Sequence, residues 1–179
     1  MRAPALALLV ALPSLGCLTV RDYIQERKVD TAGIPPLRID QKASELTMMS
    51  AESILEVNYE GPKMRKEVAE ALDLTLRTRP DGTPARFRVR ASVRKEKSYF
   101  MWVPCFFFLV FLGCPTGAQA ATVDLDLEYG GKRFTAQADE SVWLSPYYNG
   151  DGVRAALARA TAQAVARIAE NARRQQGGR

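Results

Sequence analysis

The cysteines and the acidic residues are the side chains of this 179-residue sequence whose types and spacing could do chemistry. Cys105 and Cys114 bracket a strongly apolar run, and two thiols at the neck of such a loop could form a disulfide in an oxidising compartment. The chain has no histidine, so it lacks the commonest general base and the commonest metal ligand. It also contains no C-x-x-C, P-loop, G-x-G-x-x-G or G-x-S-x-G motif. We therefore predict that the protein is not an enzyme and that it needs no cofactor or metal ion.

Three acidic residues alternate along one predicted strand, TVDLDLEY, and therefore share one face. These residues are Asp124, Asp126 and Glu128. They could bind Ca²⁺, but the stretch RFRVRASVR carries arginines with the same alternation. The arginines that we expect on the same face of the sheet are Arg88, Arg90 and Arg94. Antiparallel pairing of the two strands would set arginines against carboxylates, worth about 0.2–1 kcal/mol per pair. We favour this arginine-paired face over a calcium site.

The N-terminus, MRAPALALLVALPSLGC, has the pattern of a secretory signal peptide. Arg2 is followed by an uncharged apolar stretch, Ala3 to Leu15, which is shorter than the roughly 20 residues that span a bilayer. Its end, Ser14-Leu15-Gly16-Cys17, resembles the lipobox of bacterial lipoproteins, although Ser14 stands where that family usually has leucine.

The lipobox resemblance implies that residues 1–16 are removed and that Cys17 is acylated as the mature N-terminus. Two or more acyl chains anchor a protein stably to a membrane. By resemblance to enteric lipoproteins, Leu18 in place of aspartate implies sorting to the outer membrane in preference to the inner one. We thus expect a lipid-anchored protein of the cell envelope that faces the periplasm.

The periodicity of the remaining chain predicts one α+β domain. ILEVNYE alternates as a strand, and Gly61-Pro62 precedes a helical pattern that ends near Pro80-Asp81-Gly82. The strands RFRVRASVR and TVDLDLEY follow, then a hairpin partner, and an alanine-rich helix begins near Asp151. This order predicts a mostly antiparallel sheet of about four strands with two helices on one face. The predicted segments are a signal peptide at 1–16, a lipid anchor and tether at 17–50, and the α+β domain at 51–175 with an apolar loop at 99–117.

The hairpin at Gly130-Gly131 has a predicted register, because two glycines favour a two-residue turn. Counting outward from the turn pairs Leu127 with Phe134, Leu125 with Ala136, Val123 with Ala138, and Glu128 with Arg133. Element order and lipobox together are similar to small periplasmic domains of penicillin-binding-protein activators and of the curli secretion lipoprotein.

The apolar segment KSYFMWVPCFFFLVFLGCPTG, residues 97–117, contains seven consecutive bulky apolar side chains from Phe106 to Leu112. Burying each of them is worth about 1.5–3 kcal/mol, so the run should not remain in water. It does not alternate as a membrane β-strand does. Three interpretations stay open: a transmembrane helix at about 99–121, a loop buried in the core, and a hairpin whose tip enters a bilayer or a groove of a partner.

The hairpin interpretation extends the pairing of the two charged strands. If the numbers of opposite residues add to about 216–218, Cys105 and Cys114 fall nearly opposite each other and could form a disulfide. Trp102 lies just outside this neck, where aromatic side chains favour the membrane surface. The predicted contacts with the membrane or a partner are Trp102, Phe106, Phe107, Phe108, Leu109, Phe111 and Leu112.

Two functions fit the sequence. The first is a non-catalytic envelope lipoprotein that docks on a membrane or a protein complex through the apolar hairpin. The second is a membrane-spanning subunit of an export or transport assembly. The net charge of +5 is modest, and we interpret it as a contribution to solubility. The expected partners are membrane lipid and an envelope protein, and nucleic acid is not expected.

Overall fold

The computed structural model of the chain describes residues 20–26, 29–40, 42–48, 61–96, 117–144 and 152–177. These residues form three helices and five strands. The helices are α1 (Val20–Glu26), α2 (Gly61–Leu76) and α3 (Gly152–Gly177). The strands are β1 (Leu37–Ile39), β2 (Glu45–Met48), β3 (Thr83–Glu96), β4 (Gly117–Tyr129) and β5 (Lys132–Leu144).

The described strands form one sheet whose faces differ in polarity. β5, β4 and β3 are antiparallel neighbours, and β1 and β2 both pair with β3 in parallel. The helices cover one face, where Val89, Val123 and Leu125 are buried together with α2 and α3. The expected α+β class is confirmed, but the sheet is mixed, because α2 lies between β2 and β3 and returns the chain for a parallel pairing.

The glycine hairpin forms as predicted. Gly130 and Gly131 have φ angles of 56° and 72°, which side chains with a Cβ rarely adopt. All four predicted pairs are present: Leu127 with Phe134, Leu125 with Ala136, Val123 with Ala138, and Glu128 with Arg133. Pro62 lies in the first turn of α2, where its missing N–H costs nothing.

The predicted pairing of β3 with β4 assigns the residues to the correct faces of the sheet, but its register is wrong. Arg88 lies opposite Asp126, whereas sums of 216–218 would have placed a residue from Glu128 to Gly130 there. The predicted arginines and carboxylates nevertheless share the outer, helix-free face of the sheet. Continued past Glu96, the observed register would set Cys105 against Leu109 and not against Cys114. The disulfide therefore stays a prediction from the number of thiols alone.

The stretch expected to be a tether is in part a structured portion of the domain. Leu37 and Val20 have exposed fractions of 0% and 2%, and Ile34 is also buried. The anticipated short strand at Leu37–Ile39 is present, while α1 and β2 were not foreseen. These elements have seven and four residues, too few to display a helical or alternating period in sequence. The strand predicted at ILEVNYE lies outside the described residues.

Arg77 ends α2 in a left-handed conformation, with a φ of 49°. Because a side chain is strained there and glycine is not, we expect Arg77→Gly to raise the free energy of unfolding by about 0.5–1 kcal/mol. The urea midpoint of unfolding measures this change. Arg79→Gly, at an exposed position nearby without a positive φ, is the control and should give no increase. A lower midpoint for Arg77→Gly than for the control would contradict this account.

Candidate functional site

The apolar segment connects the end of β3 to the start of β4, and these two strand ends are adjacent in the sheet. Glu96, the last residue of β3, is paired with Ala118 near the start of β4, and Ala118 is paired with Trp143 of β5. We call this end of the sheet, formed by Glu96, Gly117 and Leu144, the segment end. The opposite end, formed by Thr83, Tyr129 and Lys132, is called the turn end.

This connection corrects the expected transmembrane helix at about 99–121. Residues 117–121 belong to β4 and are not helical. The paired residues Glu96 and Ala118 lie about 5 Å apart, while a single crossing would place its two ends on opposite sides of a core about 30 Å thick. The predicted helix is therefore wrong at residues 117–121, and the rest of the predicted span lies outside the described residues. Within the described part of the chain, no helix is long and apolar enough to cross a membrane.

Helices α2 and α3 both begin at the segment end. Arg154 in the first turns of α3 donates to Glu67 in the second turn of α2 at 2.9 Å, and the Glu67 side chain is buried by this contact. At the other end of α2, the Arg79 N–H donates to the Leu37 carbonyl at 2.8 Å, and Leu37 is paired with Thr83 of the turn end. The two helices therefore run from the segment end towards the turn end.

The N-terminal part of the described chain follows α3 in the same direction. The Tyr23 ring lies 5.7 Å from the guanidinium of Arg159, and Asp30 forms an ion pair with Arg173 at 2.7 Å. The Ala32 N–H and the Arg173 guanidinium hold the pKa of the Asp30 carboxyl below its usual value. α1 thus packs beside the first half of α3, with Val20 clustered among Ala155, Ala158 and Ala162.

This path places the entry of the chain near the segment end. Cys17 precedes Val20 by only three residues, which span at most about 10 Å. Cys17 itself lies outside the described residues. Its position in sequence nevertheless confines a lipid attached there to the same end of the domain from which the apolar segment departs.

The polarity of the outer face changes towards the segment end. Along β4 the outward positions carry Glu128, Asp126, Asp124 and Thr122 and then change to Ala120 and Ala118. These two alanines are 4% and 3% exposed, although they occupy the face that is charged further along the strand. Only β4 changes in this way, because the residues paired with these alanines in the neighbouring strands include Arg94, Glu96 and Ser141.

Three exposed cations of α1 and α2 were not singled out from the sequence. Arg21 of α1 and Arg65 and Lys66 of α2 are exposed, and none forms an ion pair with any residue that the structure describes. Other exposed arginines in the described part of the chain, such as Arg38, Arg79 and Arg90, also lack an ion pair there, so charge alone does not set these three apart.

Several arginines on the charged outer face form ion pairs with carboxylates of the same sheet. Arg86 donates two hydrogen bonds to Glu128, Arg88 pairs with Glu45 of β2 at 3.0 Å, and Arg133 pairs with Asp126. Asp126 also raises the pKa of the Arg133 guanidinium, which stays charged. An open groove of about 460 Å³ crosses this face, with both cations and carboxylates in its lining. Among residues 20–177 that the structure describes, no three potential ligands are grouped to hold a metal ion.

Tyr129 is the one buried titratable group whose pKa is shifted on this sheet within the described residues. Burial raises the pKa of its hydroxyl, and the hydroxyl has no hydrogen-bond partner. Its ring stacks on Phe134 with centroids 5.1 Å apart. The stacked rings of Tyr129 and Phe134 thus close the apolar core at the turn end of the sheet.

The site residues predicted from the sequence lie in two stretches that the structure does not describe. They are Cys17, Trp102, Cys105, Phe106, Phe107, Phe108, Leu109, Phe111, Leu112 and Cys114. Their predicted roles in acylation, disulfide formation and membrane or partner contact stay predictions. The structure defines only where their segments join the domain.

Comparisons with known proteins give two structural likenesses. No family model matches the chain, and no curated protein matches it. A 2.40 Å crystal structure of a protein described as a lipoprotein, from Caulobacter crescentus CB15, is similar with a TM-score of 0.38 and 14% identity. That similarity covers 83% of this chain and 95% of the other. An uncharacterised protein is similar with a TM-score of 0.35 and 14% identity, over 76% of this chain and 87% of its own. Both TM-scores are low, and neither likeness indicates a function.

Proposed function

We propose that this protein is a non-catalytic lipoprotein of the bacterial cell envelope whose segment end docks on a membrane. One observation carries the proposal: the start of the domain near Cys17 and both ends of the apolar segment lie at the same end of the sheet. An acyl chain and the apolar run can then enter one leaflet together without unfolding the domain.

The physical chemistry of the two groups favours this arrangement. An acyl anchor holds the domain at the surface, and the apolar side chains then meet the bilayer at a high effective concentration. The turn end carries charged residues such as Lys132 and Arg79 and would face the periplasm. An envelope protein that binds at the exposed turn end would be held near the membrane by the same anchor. Such a docking role requires no catalysis.

Replacing Cys17 tests the anchor. We expect Cys17→Ser to abolish incorporation of radioactive palmitate, and either to block processing or to release the mature protein into the soluble fraction, because the thiol is the only group that can accept the lipid there. Cys105→Ser is the matched control and should keep both the label and the membrane fraction. A Cys17→Ser protein that still incorporates palmitate, or stays fully membrane-bound at the size of the mature native protein, would contradict the proposal.

A further inference from the structure

Strand β5 lies at one side of the sheet and has an open edge. It pairs with β4, and no other strand of the described chain pairs with it. Its 13 residues contain no proline and keep one continuous register with β4. Natural proteins often protect such edges with prolines, bulges or short strands, because a long regular edge can accept a further strand. The edge of β5 therefore has the geometry that a further strand needs.

The outward backbone groups of this edge belong to alternate residues. The positive φ angles at residues 130–131 indicate a type I′ turn, which makes Tyr129 and Lys132 a hydrogen-bonded pair. Because such pairs alternate along an antiparallel ladder, the odd-numbered residues of β5 direct their N–H and C=O groups away from β4. The Gln137 carbonyl agrees with this assignment, since it accepts a hydrogen bond from the Arg167 guanidinium of α3.

The charged residues of β5 are divided by sign along the strand. Lys132 and Arg133 lie at its start, and Asp139 and Glu140 lie in its second half. In an antiparallel pair of two identical β5 strands, the basic start of each faces the acidic part of the other. When Ala136 lies opposite the same residue of the second copy, Lys132 is opposite Glu140 and Arg133 is opposite Asp139. A shift by two residues in either direction separates both pairs, so the charges select this register.

The side chains that meet in this register keep atoms for a second contact. Arg133 uses Nε and Nη2 to bind Asp126, and its described contacts leave Nη1 available. Asp139 accepts from the Thr122 hydroxyl with Oδ1 and keeps Oδ2. Lys132 is exposed and forms no ion pair with a residue that the structure describes. Contacts with a second copy can therefore form while these internal contacts persist.

The Arg167 contact with the edge is exchanged in the pair. Arg167 is exposed, so its side chain can turn to solvent and release the Gln137 carbonyl. That carbonyl then accepts from the Thr135 N–H of the second copy, because residues 135 and 137 are opposite each other in this register. Thr135 and Gln137 are exposed, and Ala136 between them has a small side chain at the margin of the core. No bulky group of β5 obstructs the centre of the pair.

We propose that two copies of this chain associate through antiparallel pairing of their β5 strands, with Lys132 and Arg133 of each copy opposite Glu140 and Asp139 of the other. The two sheets then form one continuous sheet. Because the paired strands are antiparallel, the two segment ends point in opposite directions. Two copies of one pair that both dock through their segment ends would therefore lie on facing membranes. The inference goes beyond the proposed function and does not depend on it.

Complementation between charge variants tests the pairing in solution. The mature chain, residues 17–179, carries Cys17→Ser so that no acyl anchor is present, and sedimentation velocity measures its association. The acidic variant is Lys132→Glu with Arg133→Glu, and the basic variant is Asp139→Lys with Glu140→Lys. Each alone should self-associate about a hundredfold more weakly than the unaltered mature chain, because attraction becomes repulsion at every charged pair. An equimolar mixture should form dimers again, since each altered strand then faces opposite charges.

The matched control is Arg38→Glu with Arg79→Glu, which changes the net charge as the acidic variant does. Both positions are exposed and lie near β1, away from β5, so this variant should associate like the unaltered chain. Circular dichroism verifies that all variants are folded. A monomeric unaltered chain, charge variants that associate as strongly as the unaltered chain, or a mixture that associates no better than its components would each refute the pairing. None of these results bears on membrane docking, which the Cys17 variant tests separately.

Discussion

Gly82→Ala is expected to lower the free energy of unfolding by about 3 kcal/mol, a large part of the roughly 5–15 kcal/mol of a typical domain. A Cβ atom at Gly82 would lie 2.5 Å from the carbonyl carbon of Leu37 and 2.8 Å from the carbonyl oxygens of Pro36 and Leu37. All three atoms belong to the backbone, so no side chain can rotate away to make room.

The same contact explains why the cost should be large. The Thr83 N–H donates to the Pro36 carbonyl at 2.9 Å, and Leu37, which is fully buried, pairs with Thr83. Separating the two backbones to admit a methyl group would break this hydrogen bond and expose β1. The loss would therefore combine steric strain with the loss of buried apolar surface.

Urea unfolding measures the effect, and Gly131→Ala is the matched control. Gly131 has a φ of 72°, but a Cβ there would have no atom within 4 Å. The control should therefore cost only the conformational strain, about 1 kcal/mol. If Gly82→Ala proved no more destabilising than Gly131→Ala, the close approach of β1 to the start of β3 would be wrong.

The structure also shows which parts of this fold are readable from sequence. The register of β4 with β5 was predictable because a two-residue glycine turn fixes it, and every inward residue then follows by alternation. The register of β3 with β4 was not, because residues 97–116 separate the strands and a long connection imposes no particular pairing. The alternation of charged and apolar residues predicted which face of the sheet each side chain occupies. A register shift by an even number of residues leaves those faces unchanged.

Other features depend on contacts between distant residues. β1 and β2 pair in parallel with β3 across the intervening helix α2, and strands of three and four residues carry little pattern of their own. No single part of the sequence predicts that the N-terminus, the apolar segment and the first residues of both long helices lie at one end of the sheet.

Fluorescence of the native tryptophans offers a direct view of this end. The chain has two tryptophans, Trp102 within the apolar segment and Trp143, which is paired with Ala118 at the segment end. If this end enters the bilayer, bromine atoms on the acyl chains of the lipid should quench most of the emission. The 13 residues of β5 span roughly 40 Å at about 3.3 Å per residue, so its other end should lie far from the lipid.

The most direct test is quenching by brominated phosphatidylcholine of the acylated mature protein, residues 17–179, in vesicles. The comparison is a variant with Trp102→Phe, Trp143→Phe and Lys132→Trp, which moves the fluorophore to the exposed turn end. We expect strong quenching of the native pair and almost none of the tryptophan at position 132. Quenching at 132 without quenching of the native pair, or quenching of neither in a membrane-bound protein, would contradict a segment end that faces the membrane.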